Sequence, residues 1–528
     1  MAADGSDETW FDRLPPRKPR QWSHYRHDRV QLGLAVVAFL AVTALVVTVL
    51  VLYPPASPAG PGLVAVEVVV NTTGPARTIA GSFWGINVGP NVPASNALAA
   101  AVAQTPARVV RFPGGAAGDA FNYTTGALTN NSGIAKPADE NLSQFVAWCR
   151  TIACTPILEL PGEIDDPSTA AYYVAYTEST FGIQPLAWEI GNEPALWTHF
   201  GMPWSEWTPG QNLTPSPGQY ARVVHAYVAA VHQVDPTAPV LGLPGVGTGA
   251  FQETAWINAT VGLNGPNISG VGIHVYPAGA GSGSSESLAN FLANASGARS
   301  LAARVAADQA AIQANLPGRP DLPIYVTELG TGLTSGSFST FLDSFPSVPF
   351  VASEIVASVL SGVASTELTQ VQTPHAGSWM DENGTIYPLL ALYAELFSQL
   401  GSSAVPVRLV PSVPGLCAMA TSSGGSGPVE LFVVNANATN AAQLNLSASG
   451  LELGAAATRW SWNSSTSGPV VVDLPSAPSS QTLPPVSVLL LKIDAPYGPT
   501  SVGTDAGRHR PLPDPPAAGA VAAVRRAT

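Results

Sequence analysis

The stretch Trp188-Glu189-Ile190-Gly191-Asn192-Glu193-Pro194 decides the fold. An apolar run from Pro185 to Ile190 stops abruptly at Gly-Asn-Glu-Pro. That pattern predicts a buried strand carrying an amide and a carboxylate at its C-terminal tip. A second run, Pro323-Ile324-Tyr325-Val326-Thr327-Glu328-Leu329-Gly330, is rich in β-formers and closes on Glu328. Either glutamate alone reads equally well as a solvated loop carboxylate. Two of them on strand tips match what glycoside hydrolysis requires, one proton donor and one nucleophile or base.

Outward from these runs, short apolar segments alternate with helical patterns. The candidate strands are Ser82–Val88, Arg108–Phe112, Thr155–Leu160, Leu186–Ile190, Pro239–Leu243, Gly270–Tyr276, Ile324–Thr327 and Glu367–Gln372. Between them lie Leu142–Ile152, Gly218–Val234, Leu288–Asn315 and Ala352–Ala364, all amphipathic or Ala-rich. Strands that alternate with helices imply a parallel sheet, and this number closes into a (β/α)8 TIM barrel over 81–400. A helix around Tyr387–Leu400 ends it. Residues 401–494 hold short alternating runs without a long helix: Val429–Val434, Gln443–Ala448, Thr458–Trp462, Val470–Leu474 and Val486–Leu491. They predict a C-terminal β-sandwich, which the orphan strand Leu63–Asn71, within 63–80, would join.

The 528 residues carry 11% charged side chains, 46% hydrophobic ones and a net charge of −13, which fits a weakly charged globular chain and disfavours nucleic acid. Residues 31–53 are uncharged and long enough to cross a bilayer as one helix. Arg17, Lys18, Arg20, Arg26 and Arg29 precede them, which predicts a cytoplasmic tail at 1–30, a signal anchor and an extracellular remainder; a cleaved signal peptide is the rival. Sequons at Asn71, Asn122, Asn130, Asn141, Asn212, Asn258, Asn267, Asn294, Asn383, Asn437, Asn445 and Asn463 fit a glycosylated exterior. Residues 495–528, dominated by Pro, Ala and Arg, read as a disordered tail. Cys149 and Cys154 either bridge locally or serve, with Cys417, as small buried apolar residues. No Cys/His spacing reads as a metal site, and the expected chemistry needs no cofactor.

In such a barrel the active site lies at the C-terminal strand ends, where Glu193 would end the fourth strand and Glu328 the seventh. At this point the sequence resembles the retaining glycoside hydrolases of the large barrel clan, and within it the heparanase and β-glucuronidase family. The likeness rests on Arg111-Phe112-Pro113-Gly114-Gly115, Phe145-Val146-Ala147-Trp148-Cys149-Arg150, Trp188 to Pro194, and His274-Val275-Tyr276. It implies Glu193 as acid/base, raised in pKa by the charge of Glu328, and Glu328 as nucleophile. It also implies Arg111 and Tyr276 as holders of that nucleophile, and Asn192 as donor to the sugar 2-hydroxyl. Retention would put the carboxyl groups about 5–5.5 Å apart, against roughly 6.5–9.5 Å for inversion.

Other residues have two readings each. Arg111 could be a structural cation, and Tyr276 could simply pack. His274, two residues before Tyr276 on a regular strand, would sit one layer deeper as a core histidine. Trp379 could stack on a sugar, and Glu163, Asp165 and Asp166 could reach a distal subsite. Trp197, Trp204 and Trp207 could stack on carbohydrate or hold a long loop together. The expectation is a membrane-anchored, β-glucuronidase-like retaining hydrolase acting on an oligo- or polysaccharide. An arabinofuranosidase or β-xylosidase of the same clan is one alternative, and a non-catalytic cell-surface glycan-binding protein is the other.

Overall fold

The structure, a computed structural model, describes residues 62–494 apart from 130–134, 165, 199, 202–212, 243–244, 246–252, 278–299, 331–340, 370, 374–377, 425–426 and 450–452. The expected tail, anchor and C-terminal extension at 1–30, 31–53 and 495–528 therefore lie outside the described residues. Among the described residues no helix is long and apolar enough to cross a membrane.

Eight strands close into a barrel in which every neighbouring pair is parallel. In chain order they are β1 Trp84–Asn87, β2 Val109–Phe112, β3 Thr155–Leu160, β4 Ala187–Ile190, β5 Val240–Gly242, β6 Gly270–Val275, β7 Ile324–Leu329 and β8 Ser365–Leu368. Strand periodicity sends alternate residues inward. A floor of Val109, Ile157, Ala187, Leu241 and Tyr325 forms its own apolar cluster. Two residues further along their strands come Arg111, Glu159, Glu189 and Thr327, and β8 adds Glu367; all are buried. The second layer of the barrel is thus polar and charged.

Local signals set the surrounding helices. Asn141 and Ser216 form capping boxes with Gln144 and Gln219 at the starts of Leu142–Thr151 and Pro217–Val234. Asp166 caps Pro167–Phe181, with proline at its first position. Leu142–Thr151 ends in a turn where Ala153 is left-handed (φ 52°) and Cys149 is disulfide-bonded to Cys154, their Cα atoms 5.1 Å apart. The bridge reading of those cysteines is the one the structure takes. Cys417 stays a free thiol.

Leu63–Asn71 pairs in parallel with Ala441–Ser449 and antiparallel with Val407–Val410. An N-terminal strand thereby completes a sheet made by the C-terminal part of the chain. Its Val66, Val68 and Val70 face Leu431, Leu489 and Leu491 of a second, seven-stranded sheet across one apolar core. Each such valine contributes roughly 1.5–3 kcal/mol by leaving water. The helix Ser347–Ser361 is buried almost all round, because it lies between the barrel and the strands Leu416–Ser422, Val429–Asn435 and Ser487–Ile493. The expected helix at Tyr387–Leu400 is broken instead: Pro388–Ala391 is α-helical, Leu392–Leu396 widens to a π-turn and Phe397–Gln399 tightens. This path sets both Tyr393 and Phe397 against Trp84, with ring centroids 6.3 and 5.1 Å away.

Candidate active site

Glu193 and Glu328 meet at the same end of the barrel. Gly191 (φ 67°) and Glu193 (φ 44°) are both left-handed, so the chain turns sharply as it leaves β4. For glutamate that conformation is strained, and such strain persists where surroundings fix a residue for function. The Glu193 side chain is 22% exposed, while that of Glu328 is 7% exposed. His274 lies between them, its Nδ1 3.2 Å from Glu193 Oε1 and 3.5 Å from Glu328 Oε2. Donor atoms of the three residues all fall within 4.8 Å of one another. The two carboxyl groups are therefore close enough for the retaining spacing.

Arg111 organises the floor of the site. Its Nη1 donates to Glu328 Oε1 at 2.8 Å, its Nε to Glu189 Oε2 at 2.5 Å, and its Nη2 to Glu159 Oε2 and to Asn192 Oδ1 at 3.0 Å each. Burial works against the guanidinium charge, but Glu189, Glu159 and Glu328 outweigh it and hold the group well above its ordinary range. Tyr276 donates its hydroxyl to Glu328 Oε2. Both oxygens of Glu328 are thus occupied by protein donors. The Asn192 amide is oriented by its oxygen, which accepts from Arg111.

Burial raises the pKa of Glu193, and the cations Arg111 and Arg304 oppose that rise. The expected cause, repulsion from Glu328, is replaced by desolvation. Burial also raises Glu159 well above the carboxylate range despite Arg111, and pushes Glu367 up to about 8. Glu367 thus keeps its proton at neutral pH, which relieves the crowding of acids around one arginine. His274 is pushed down to about 4 by burial. Its Nε2 is buried without a partner, so the ring is neutral and its Nδ1 faces the two carboxyl groups.

His274 corrects an expectation. It is buried, as expected of a deeper residue, but it is no mere core histidine, because β7 slips against β6 and brings Glu328 beside it: Ile273 pairs with Val326, then His274 with Glu328. The extra residue, Thr327, is a bulge, and bulges re-aim side chains. Asn87 donates to the Thr327 carbonyl at 3.3 Å and holds that bulge. Trp379 is a second correction. It is fully buried, edge-on to Tyr393 at 5.0 Å, and offers no face to a sugar. Asp166 is a helix cap, and Glu163 accepts from Thr198 N at 2.8 Å, so both brace loops. Trp197 is buried and bonds Asp119 and the Asn192 carbonyl, which settles its role as loop-holding. Asp165, Trp204 and Trp207 lie outside the described residues.

Glu193, His274 and Glu328 also satisfy the spacing of a metal site. A cation there would have to displace Tyr276 from Glu328 and sit beside Arg111, so this donor set suits proton chemistry better than a metal. Missed by sequence reasoning were Glu159, Glu189, Asn87, Asp119 and Arg304. Arg304, in the first turn of the helix Leu301–Asn315, is paired with Glu253 at 2.5 Å and acts electrostatically on Glu193.

No protein-family model matches the chain, and no curated protein sequence does. Solved structures match well. A GH51 arabinofuranosidase from Xanthomonas axonopodis pv. citri aligns with a TM-score of 0.65 at 15% identity, over 81% of this chain and 100% of that one. An α-L-arabinofuranosidase from Thermotoga maritima gives 0.63 at 15%, over 81% and 99%. A family 44 xyloglucanase from Paenibacillus polymyxa gives 0.62 at 11%, over 81% and 99%. The chain shares their fold. None of the three is named as a heparanase or a β-glucuronidase.

Proposed function

We propose that this protein is a retaining glycoside hydrolase. The observation that carries the reading is the Glu193–Glu328 pair: oxygens within 4.8 Å, one carboxyl raised by burial and open to solvent, the other held by Arg111 and Tyr276. Glu328 attacks the anomeric carbon while Glu193 gives its proton to the glycosidic oxygen. The carbon–oxygen bond to the leaving group breaks and an ester to Glu328 forms. Glu193, now a carboxylate, takes a proton from water, which attacks the same carbon and frees Glu328. Two inversions leave the configuration retained. Asn192 donates to the 2-hydroxyl throughout. No step calls for a cofactor or a metal.

For the sugar we favour a β-linked uronide, a β-glucuronidase-like activity on an oligo- or polysaccharide. Support comes from the motifs shared with the heparanase family. An arabinofuranosidase is the second reading, favoured by the fold neighbours; β-xylosidase belongs with it. We further propose a single-pass membrane protein and glycoprotein with this domain outside the cell, on the charge asymmetry about residues 31–53 and on the sequons. A panel of aryl β-glucuronides, α-L-arabinofuranosides and β-xylosides separates these readings. Hydrolysis of none of them, with glycan binding retained, would favour the non-catalytic alternative.

A further inference from the structure

Asp119 lies in the loop after β2, and its carboxyl accepts from residues in two other loops of the barrel mouth. It is 4% exposed. Its Oδ1 accepts from the backbone N–H of Gly162 at 2.9 Å and of Glu163 at 3.3 Å, both just beyond β3. Its Oδ2 accepts from the backbone N–H of Asn192 at 3.1 Å, just beyond β4, and from the Trp197 indole at 3.0 Å. The same indole N–H lies 2.7 Å from the Asn192 carbonyl. One carboxylate therefore ties three loops to the peptide that precedes Glu193.

The packing leaves that turn little room. A Cβ on Gly191 would fall 2.4 Å from the Trp197 ring and 3.1 Å from Asp119 Oδ1, and one on Gly162 would fall 2.9 Å from the ring. The indole thus lies flush against two glycines, and Asp119 holds it there. Asn192 has a second anchor, its side chain on Arg111. Glu193 follows in its left-handed conformation and is restrained by this turn and by His274.

We propose that Asp119 is a positioning residue for the acid/base: by gathering the Asn192 and Trp197 N–H groups it fixes the strained turn that aims the Glu193 carboxyl at the leaving oxygen. The inference rests on the glycosidase reading above. It differs from a general stabilising role, because the consequences of loosening fall on proton donation and not on nucleophilic attack. Glu328, on β7, shares no hydrogen bond with Asp119.

The test is Asp119→Asn in the full chain. The amide keeps the shape but turns an NH2 toward N–H donors on one side or the other. Misplacing a reacting group by about 1 Å costs roughly 100-fold. We therefore expect kcat/KM to fall about 30- to 100-fold on glycosides with poor leaving groups, and about threefold or less on activated aryl glycosides, which leave without protonation. In a Glu193→Gln background the same change should add less than about threefold on glycosides with poor leaving groups, where alone it costs about 30- to 100-fold. Equal loss on both substrate types, or a fully multiplicative effect in that background, overturns the proposal. If Asp119→Asn does not fold, Trp197→Phe removes the indole N–H, and must steepen the same leaving-group dependence or the proposal falls. A wild-type protein inactive on every glycoside would instead overturn the glycosidase reading itself.

Discussion

Tyr276→Phe isolates one interaction of the nucleophile. The hydroxyl donates to Glu328 Oε2, and its other hydrogen-bond contact is Thr369 Oγ1 at 3.5 Å, which is marginal. The ring itself packs against Gly330, where a Cβ would fall 2.6 Å from Tyr276 Cε1, and the substitution keeps that contact. Removing a hydrogen bond to a charged acceptor costs about 1.5–3 kcal/mol, or roughly 10- to 150-fold in rate. Arg111 still holds Oε1 at 2.8 Å, so activity should persist at that reduced level. The assay is kcat/KM on activated and poor aryl glycosides, with thermal unfolding as a control. The loss should be similar on both, because Glu328 attacks in either case, and the unfolding midpoint should move by no more than about 2 °C. A loss under about threefold, or one confined to poor leaving groups, would refute the assignment of Tyr276 to the nucleophile.

Glu193→Gln should strongly reduce turnover of poor leaving groups and spare the first step with activated ones; equal losses would give Glu193 another role. Glu328→Gln should abolish activity on every substrate, so residual turnover at a constant fraction of wild type on several leaving groups would point to a different nucleophile. A chelator should leave activity unchanged, and a loss restored by added divalent cation would make Glu193, His274 and Glu328 a metal site after all. Burial pushes Glu354 and Glu367 from 4.5 up to about 8 and Asp308 from 3.8 up to about 8. Carboxyls that keep their protons only when folded contribute stability that is full below their unfolded values and is lost as pH rises through about 8. Thermal unfolding should therefore occur at higher temperature at about pH 5 than at about pH 9, and a midpoint that rises with pH would contradict this.

Much of the barrel was legible because its strands are short, apolar and separated by turn signals. Thr155–Leu160 and Leu63–Asn71 fall where periodicity placed them. The acid/base turn was legible too, since Gly-Asn-Glu-Pro breaks an apolar run so sharply. The contact of His274 with the carboxyl groups was missed because the reading assumed regular pairing, and the bulge at Thr327 on β7, whose carbonyl accepts from Asn87 some 240 residues away in sequence, brings Glu328 beside it. Glu159 and Glu189 were overlooked because each is one acid within an apolar strand. Only barrel closure reveals that both point at Arg111. A clue was present: both occupy inward positions on buried strands, where an acid needs a cation or a proton. Trp379 misled because chain position puts it after β8, whereas packing against Tyr393 takes it into the core. The cause of the raised Glu193 pKa was also out of reach, since burial is a property of the folded mouth.

The central claim is that Glu328 forms a covalent glycosyl ester with Glu193 as its proton donor. Its most direct test is to incubate the active protein with 2-deoxy-2-fluoro glycosides of the preferred sugar and map the modified peptide by mass spectrometry. The account predicts time-dependent inactivation and one sugar added at Glu328. A label on another residue such as Glu163, or an active enzyme that is never labelled and releases the inverted anomer, would contradict it.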